Sequence, residues 1–530
     1  MVFFAAMNEP RPIPPQPGPD GLSRKKRYDL SVFLVLFAGY FLLVLYPILR
    51  ADRYANDDVL RAMRGNWGWN TDGRLLTNFV MRALEFGSAR VFDIAPLPQL
   101  LAIATLAYVG ALIARRYLAA SASPVQAALI AFPLGAQPFF LHNLSFRFDA
   151  FCMALAILFA LLPLLRPTAR KRDWLVGGVS LLACLNLYQP AICAFLLFAL
   201  LELCVEPGAW KSPRAPLLRF AGRAAQAVAA MSLYQALFSG SFKGWIKQRS
   251  EIASLADLPQ TIATNLTAYA HYLVDAFSPR WLNLFVPLTL VAAIFPIVLV
   301  VRSIRSAETT RRLTLLAAGA LLLVPAVCIA MCGPMLLLRN PVYMPRVMIG
   351  VGAALCAALI AMHLALRARA RSLPWQSGFA GVWALGMSVL AAAYGNAAAR
   401  QKAYEEPIAQ QIASDLAALQ DHRAIDKYLV VGSTGLAPAA ENSAQQFPLL
   451  RQLVPTYLAD DEMWRHYYMV QFLGDADDAA FPGGYYDPGL LARACATAAQ
   501  VRSAYRLAVV DRIGVVQFKS VDCPGNSPRP

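Results

Sequence analysis

The sequence predicts a polytopic α-helical membrane protein, with about eleven transmembrane helices for a reading window of about 19 residues, followed by a small α+β domain outside the membrane. Three observations carry this. Hydrophobic residues make up 58% of the chain and charged residues 15%, with a mean hydropathy of +0.47, a balance outside the range of soluble globular proteins. Basic residues stand in short clusters at every second junction between apolar runs. Beyond residue 397 the long apolar runs stop and the composition becomes charged.

In chain order, residues 1–29 read as a disordered cytoplasmic tail, proline-rich from 8 to 20. Apolar runs lie near 30–49, 97–114, 123–141, 149–165, 174–188, 190–205, 222–239, 281–301, 313–331, 347–366 and 377–397. Together they make 30–397 the membrane domain, although the two runs flanking Tyr188-Gln189-Pro190 also read as one broken helix. The first run is too long for a cleavable signal peptide and lacks a small-residue cleavage site, so it reads as a signal anchor. Basic clusters at 24–27, 115–116, 170–172, 214–223, 302–312 and 367–371 fall on one side, which the positive-inside rule makes the cytoplasm. The N-terminus is then inside and, with an odd number of spans, the C-terminus outside. The formal net charge of +16 is thus a topology signal and gives no reason to expect a nucleic-acid partner. Of nine cysteines, most sit in or beside apolar runs as small buried residues. Cys495 and Cys523 fall in the external tail, where an oxidising compartment would let them pair; the sequence leaves that open.

The external loops, 50–95, 142–149, 240–280 and 332–346, hold the polar chemistry. From Arg50 to Arg74 there are four carboxylates (Asp52, Asp57, Asp58, Asp72), five arginines and two tryptophans, just past the end of the first span. Interfacial Trp, Arg and Asp also serve as plain anchors, but seven arginines in 50–95 run against the positive-inside rule and point to pairing or function. Leu75, Leu76, Phe79, Val80, Ala83 and Leu84 recur at helical spacing, an amphipathic helix suited to the membrane surface. Arg147 and Asp149 stand at the mouth of a span, where facing lipid is costly, so they should face a cavity or each other. Asn186, Tyr188, Gln189 and Pro190 place helix-breaking and polar groups at membrane depth, which needs protein or water cover. The fourth loop, with Lys243, Trp245, Lys247, Arg249 and Glu251, reads equally as a shield, a substrate dock or a surface helix. Arg346 opens the next span, either to meet a lipid phosphate or as a snorkelling anchor. In the tail, Tyr428–Gly432, Tyr505–Asp511 and Ile513–Lys519 read as strands, the last two as a hairpin.

No phosphate-binding loop, dinucleotide fingerprint, zinc spacing or Gly-x-Ser-x-Gly elbow occurs, and the five histidines do not cluster; His142, beside the candidate cavity, reads as structural. The remaining carboxylates and arginines suit sugar transfer from a polyprenyl-phosphate sugar. A phosphate leaving group needs charge stabilisation by arginine, and an acceptor hydroxyl needs one base, whereas a glycoside hydrolase uses two carboxylates in separate roles. This chemistry requires no cofactor and no metal.

Tyr54-Ala-Asn-Asp-Asp58, Arg61, Gly65, Gly68-Trp69, Asp72-Gly73-Arg74, Pro96-Leu-Pro-Gln99, Leu144-Ser-Phe-Arg-Phe-Asp149 and Leu187-Tyr-Gln-Pro190 resemble, in order and on one predicted side, the bacterial O-antigen-modifying glucosyltransferases, including phage-type serotype-converting enzymes. The resemblance covers the spans to about residue 400 and fades in the tail. It implies a class C type membrane glycosyltransferase in the bacterial inner membrane, inverting, working at the periplasmic face. Undecaprenyl-phosphate glucose would be the donor, and an O-antigen or lipopolysaccharide sugar the acceptor. It places the essential acid at Asp57 or Asp58 without choosing between them. Candidates for the donor phosphate or substrate are Arg61, Arg74, Arg147, Asp149, Tyr188, Gln189 and Arg346, with Tyr188 and Gln189 for sugar hydroxyls. Here Ser-Phe stands before Arg147 where the family pattern has a tyrosine, which removes one hydroxyl. A transporter or flippase of a polyprenyl-linked sugar is the rival reading, though internal repeats and broken midplane helices are not evident. A non-catalytic assembly partner built around the tail leaves the first loop unexplained.

Overall fold

The computed structural model describes residues 19–165, 171–205, 214–242, 244–305, 311–367, 373–422, 424–459, 462–473, 488–521 and 523. The proline-rich stretch to residue 18, Arg170 and Lys243 lie outside them, as do the side chains of Trp245 and of most of the basic clusters 170–172, 302–312 and 367–371.

The chain is mostly helical. It begins with α1 (Pro19–Tyr40), a π turn over Phe41–Leu45, α2 (Tyr46–Ala51), α3 (Asp58–Arg64) and α4 (Leu75–Leu84). Next come α5 (Leu97–Tyr117), α6 (Pro124–Ala131), α7 (Phe140–Ser145), α8 (Ala150–Leu165), α9 (Lys171–Leu187), α10 (Ile192–Val205) and α11 (Arg214–Phe238). There follow α12 (Gly244–Arg249), α13 (Leu258–Asp275), α14 (Pro279–Arg305), α15 (Arg311–Cys332), α16 (Gly350–Leu366) and α17 (Leu373–Asp421). The tail holds β1 (Lys427–Val431), α18 (Pro438–Gln446), α19 (Leu450–Leu453), α20 (Glu462–Leu473), α21 (Pro488–Ala496), β2 (Ala499–Val501), β3 (Tyr505–Val510) and β4 (Ile513–Phe518).

Two compact units divide these elements. One comprises Met1–Pro47, Gly68–Gly87 and Ile94–Ala392; the other comprises Ile48–Trp67, Ser88–Asp93 and Ala393–Pro530. The second unit thus takes in most of the first half of loop 50–95 together with the tail from Ala393.

In the first unit α5 packs on α1 and α8, α8 on α9, and α10 on α16. Among the described residues, four helices are long and apolar enough to cross a membrane: Lys25–Ala51, Leu97–Tyr117, Pro279–Val301 and one within Pro374–Asp421. Of the most apolar stretch of Pro279–Val301 only 17% is covered by protein, against 72% for Leu97–Tyr117. A helix apolar all round and left uncovered needs an apolar surrounding. Where about eleven spans are expected from the sequence, several apolar runs form shorter helices. Ala150–Leu165, with 16 residues, reaches about 24 Å at 1.5 Å per residue, short of a hydrocarbon core of about 30 Å. Turns cut the runs. Tyr188 is extended (φ −160°, ψ 104°) and leads into a 3-10 turn at Gln189–Ala191, where Pro190 lacks the N–H that a continuous helix would use. α4 forms as its spacing predicts and leaves Leu75 and Phe79 exposed, as is Phe86 just beyond its end.

The second unit contains a four-stranded sheet in the order β1-β4-β3-β2. β3 and β4 are the hairpin expected from the sequence, in register from Tyr505 opposite Phe518 to Val510 opposite Ile513. Asp511 and Arg512 turn between them with φ of 51° and 59°, matching a two-residue turn whose twist suits the strands. β1 lies parallel to β4. One side of the sheet packs with Ile412, Leu416, Tyr457, Met469 and, from α3, Val59. Cys495 and Cys523 form a disulfide.

Candidate functional site

The candidate residues fall into two groups, one in each unit. Asp57, Asp58 and Arg61 are in the second. Asp57 stands at the start of α3, and its carboxylate turns to Arg61 one turn on, forming an ion pair instead of capping the helix. The Asp57 side chain is 25% exposed, whereas Asp58 is fully buried. α3 stops at Gly65, whose φ of +63° and whose closeness to the Arg90 Cβ and the Val91 carbonyl, 2.7 and 3.1 Å from where a Cβ would stand, require glycine.

A buried framework, whose distant partners no local pattern names, fixes this segment. Arg53 pairs with Glu405 and donates from Nε to the Pro455 carbonyl at 2.8 Å. Glu405 also accepts from Gln401 Nε2 at 3.0 Å, Tyr457 N at 3.3 Å and Leu458 N at 3.1 Å. The Tyr457 hydroxyl donates to the Tyr54 carbonyl at 2.9 Å, and Lys402 binds Asp52 at 2.8 Å. Burial pushes the Tyr457 hydroxyl well above the usual phenol range, opposed by Arg53 and reinforced by Asp58, Glu405 and Asp57. The loop carboxylates therefore act electrically on the same core that holds Arg53.

Arg74, Asp149, Tyr188, Gln189 and Arg346 come together in the first unit. Asp149 Oδ2 accepts from Arg74 Nη1 and from the Trp69 indole N–H, both at 3.1 Å. Arg74 Nε donates to the Leu187 carbonyl at 3.0 Å, and its guanidinium lies 4.8 Å from the Tyr188 ring centre. Tyr188 donates its hydroxyl proton to the Arg346 carbonyl at 2.8 Å, which Asn143 Nδ2 also approaches at 3.2 Å. The Arg346 guanidinium stands 5.1 Å from the Phe146 ring centre. Gln189 Nε2 donates to the Asp72 carbonyl at 3.0 Å and to the Tyr234 hydroxyl at 2.7 Å, and Tyr234 donates to the Gly73 carbonyl at 3.2 Å. Tyr188 and Gln189, expected to meet sugar hydroxyls, thus direct these donors to the backbone around Arg346 and Gly73. Arg147 is half-buried on the turn between α7 and α8.

Tyr234 and Gln99 belong to this cluster without having been singled out. Tyr234 lies inside an apolar run with nothing to separate it from a lipid-facing aromatic. Gln99 and Trp69 stand in quoted motifs, where partners three dozen or more residues away are not visible. Among the described residues, no group of three or more His, Cys, Asp or Glu is placed to hold a metal ion.

The family description "Glucosyl transferase GtrII" matches residues 46–357. A Salmonella phage P22 protein, described as an uncharacterized 55.3 kDa protein in the gtrB 5' region, is 25% identical over 444 residues, 83% of this chain and 89% of that protein. No solved structure matches.

Proposed function

The chain belongs to the glucosyl transferase GtrII family, and from that premise we propose that it transfers glucose from undecaprenyl-phosphate glucose to a lipopolysaccharide O-antigen or other cell-surface glycan at the periplasmic face of the bacterial inner membrane. The carrying observation is the Asp57–Arg61 pair, a partly exposed carboxylate held beside a guanidinium on a loop segment fixed by the buried Arg53–Glu405 pair. Asp57 takes the proton of the acceptor hydroxyl. The acceptor oxygen bonds to the anomeric carbon as the bond to the phosphate oxygen breaks, and polyprenyl phosphate leaves with the electron pair, inverting the configuration. Asp58, fully buried, supports the segment and does not meet the acceptor. Arg147 and Arg346 are assigned to the donor phosphate, where a guanidinium offers paired donors to phosphate oxygens.

Apolar helices uncovered by protein support a membrane location, and the Cys495–Cys523 disulfide supports a tail in an oxidising compartment. No cofactor enters this scheme. The test is label transfer from radiolabelled undecaprenyl-phosphate glucose to lipopolysaccharide by the purified full chain. Asp57→Asn should lower the rate by about 10²- to 10⁴-fold in folded protein. Full activity in Asp57→Asn removes the assigned base, and movement of intact donor across proteoliposomes without transfer replaces the enzyme reading with a transporter.

A further inference from the structure

Asp149 is 2% exposed, and its Oδ2 serves both Arg74 and Trp69. Its other oxygen, Oδ1, is buried and has no hydrogen-bond partner among the described residues. The same is true of Arg74 Nη2, Asn143 Oδ1 and Gln99 Oε1. All four belong to one connected network. Arg74 lies on Tyr188, Tyr188 and Asn143 share the Arg346 carbonyl, and Gln99 donates to the Leu144 carbonyl, next in the chain to Asn143.

Buried polar atoms in native proteins are satisfied by protein, ordered water or ligand, so four in one network call for an occupant. The set has three acceptors and one donor. Arg74 and Asp149 cancel each other's charge. A phosphate group brings only acceptors and negative charge, which would face a carboxylate and two amide oxygens. A hydroxyl both donates and accepts, so it can give its proton to Asp149 Oδ1 and take one from Arg74 Nη2.

Resting on the glycosyl-transfer reading, we propose that the Arg74–Asp149 pair, with Asn143 and Gln99, recognises hydroxyl groups of the donor sugar and not its phosphate. The phosphate is left to the arginines assigned to it above. Sugar selectivity is then set by this neutral network, so Arg74 is a specificity-determining residue and not a phosphate ligand.

The experiment measures kcat/KM for the reconstituted full chain with undecaprenyl-phosphate glucose and its 2-, 3-, 4- and 6-deoxy counterparts. Inhibition by undecaprenyl phosphate, which carries no sugar, is measured alongside. The wild type should lose about 10- to 100-fold with at least one deoxy donor, the range expected when a buried hydrogen-bonding group is left unpaired. Asp149→Asn should flatten that discrimination while inhibition by undecaprenyl phosphate stays unchanged. Gln99→Met removes one acceptor without touching the ion pair and should flatten discrimination at a hydroxyl position even where Asp149→Asn does not fold. A uniform loss with every donor in both variants overturns the proposal and leaves ordered water as the occupant. Weaker inhibition by undecaprenyl phosphate in Asp149→Asn overturns it in favour of a phosphate site. No transfer by the wild type from any of these donors overturns the glycosyl-transfer reading, and this inference with it.

Discussion

Arg53 and Glu405, 352 positions apart in the chain, form an ion pair whose side chains are 4% and 0% exposed. The pair ties the segment that carries Asp57 and Asp58 to the part of α17 beyond Ala392. A buried charge is tolerated only when paired and hydrogen-bonded, and Glu405 meets that condition through Gln401 and two backbone N–H groups besides Arg53.

Removing one partner should therefore cost more than removing both. Arg53→Ala or Glu405→Ala is expected to destabilise the second unit by about 3–5 kcal/mol, whereas Arg53→Met combined with Glu405→Leu should recover much of the loss. Thermal unfolding of the purified full chain in detergent is the measurement. Additive losses in the double variant would show that the two residues act independently.

Gly73 has a φ of +73°, and a Cβ there would stand 2.4 Å from the Tyr234 hydroxyl and 2.5 Å from the Phe242 ring. Gly87 has a similar φ of +77° with nothing within 4 Å. Gly87→Ala should cost the left-handed strain alone, about 1 kcal/mol. Gly73→Ala should cost that plus displacement of Tyr234 from its hydrogen bonds to Gly73 and Gln189, and so disturb Arg74 next to it. Comparing thermal midpoints and transfer rates of the two variants checks this, and equal effects would mean that the Tyr234 contacts carry no weight.

In the tail, Asp415 accepts two bonds from Arg502, at 2.7 and 3.0 Å, and one from the Tyr505 hydroxyl at 2.6 Å. Bonding by Arg502, against the opposing effect of burial and helped by Tyr505, holds the Asp415 carboxyl below its ordinary value. The sign follows directly. Folding favours the ionised form, so the contribution is fully present above the unfolded aspartate value of about 3.9 and fades as pH falls through the lower folded value. Asp415→Asn should destabilise the tail by about 1 kcal/mol at neutral pH, a figure reduced for the partial exposure of Arg502, and the gap to wild type should close on acidification below about pH 4. Urea unfolding followed across pH measures it, and a gap that widens toward acid would contradict the assignment.

The Cys495–Cys523 bridge closes a span of 28 residues. Constraining a loop of that size in the unfolded chain is worth about 3.5 kcal/mol. Cys495→Ala with Cys523→Ala, or reduction of the wild type, should lower the unfolding midpoint of the tail. An unchanged midpoint would mean that β2 to β4 hold together without the bridge.

Much of the architecture was legible because it rests on local pattern. Apolar runs mark α1, α5, α14 and α16, short β-branched and aromatic runs about a polar turn mark β3 and β4, and helical spacing marks α4. Of the candidate site, the external loops and turns did contain the residues that cluster, Arg74, Asp149, Tyr188, Gln189 and Arg346. Their division of labour was not legible. Tyr188 and Gln189 read as sugar ligands, yet their hydroxyl and amide support the backbone. Asp57 and Asp58 are adjacent and chemically identical in the sequence, and the fold separates them by burial and by the pairing of Asp57 with Arg61.

The sequence by itself determined where the chain becomes helical, where polar chemistry is concentrated, and which short motifs carry it, because hydrophobic periodicity and turn chemistry act over a few residues. Tertiary structure decided which charges meet. Arg53 finds Glu405 and Arg74 finds Asp149 only once distant segments are brought side by side. The worth of a charge depends on the partners and burial it acquires there, which no local pattern encodes.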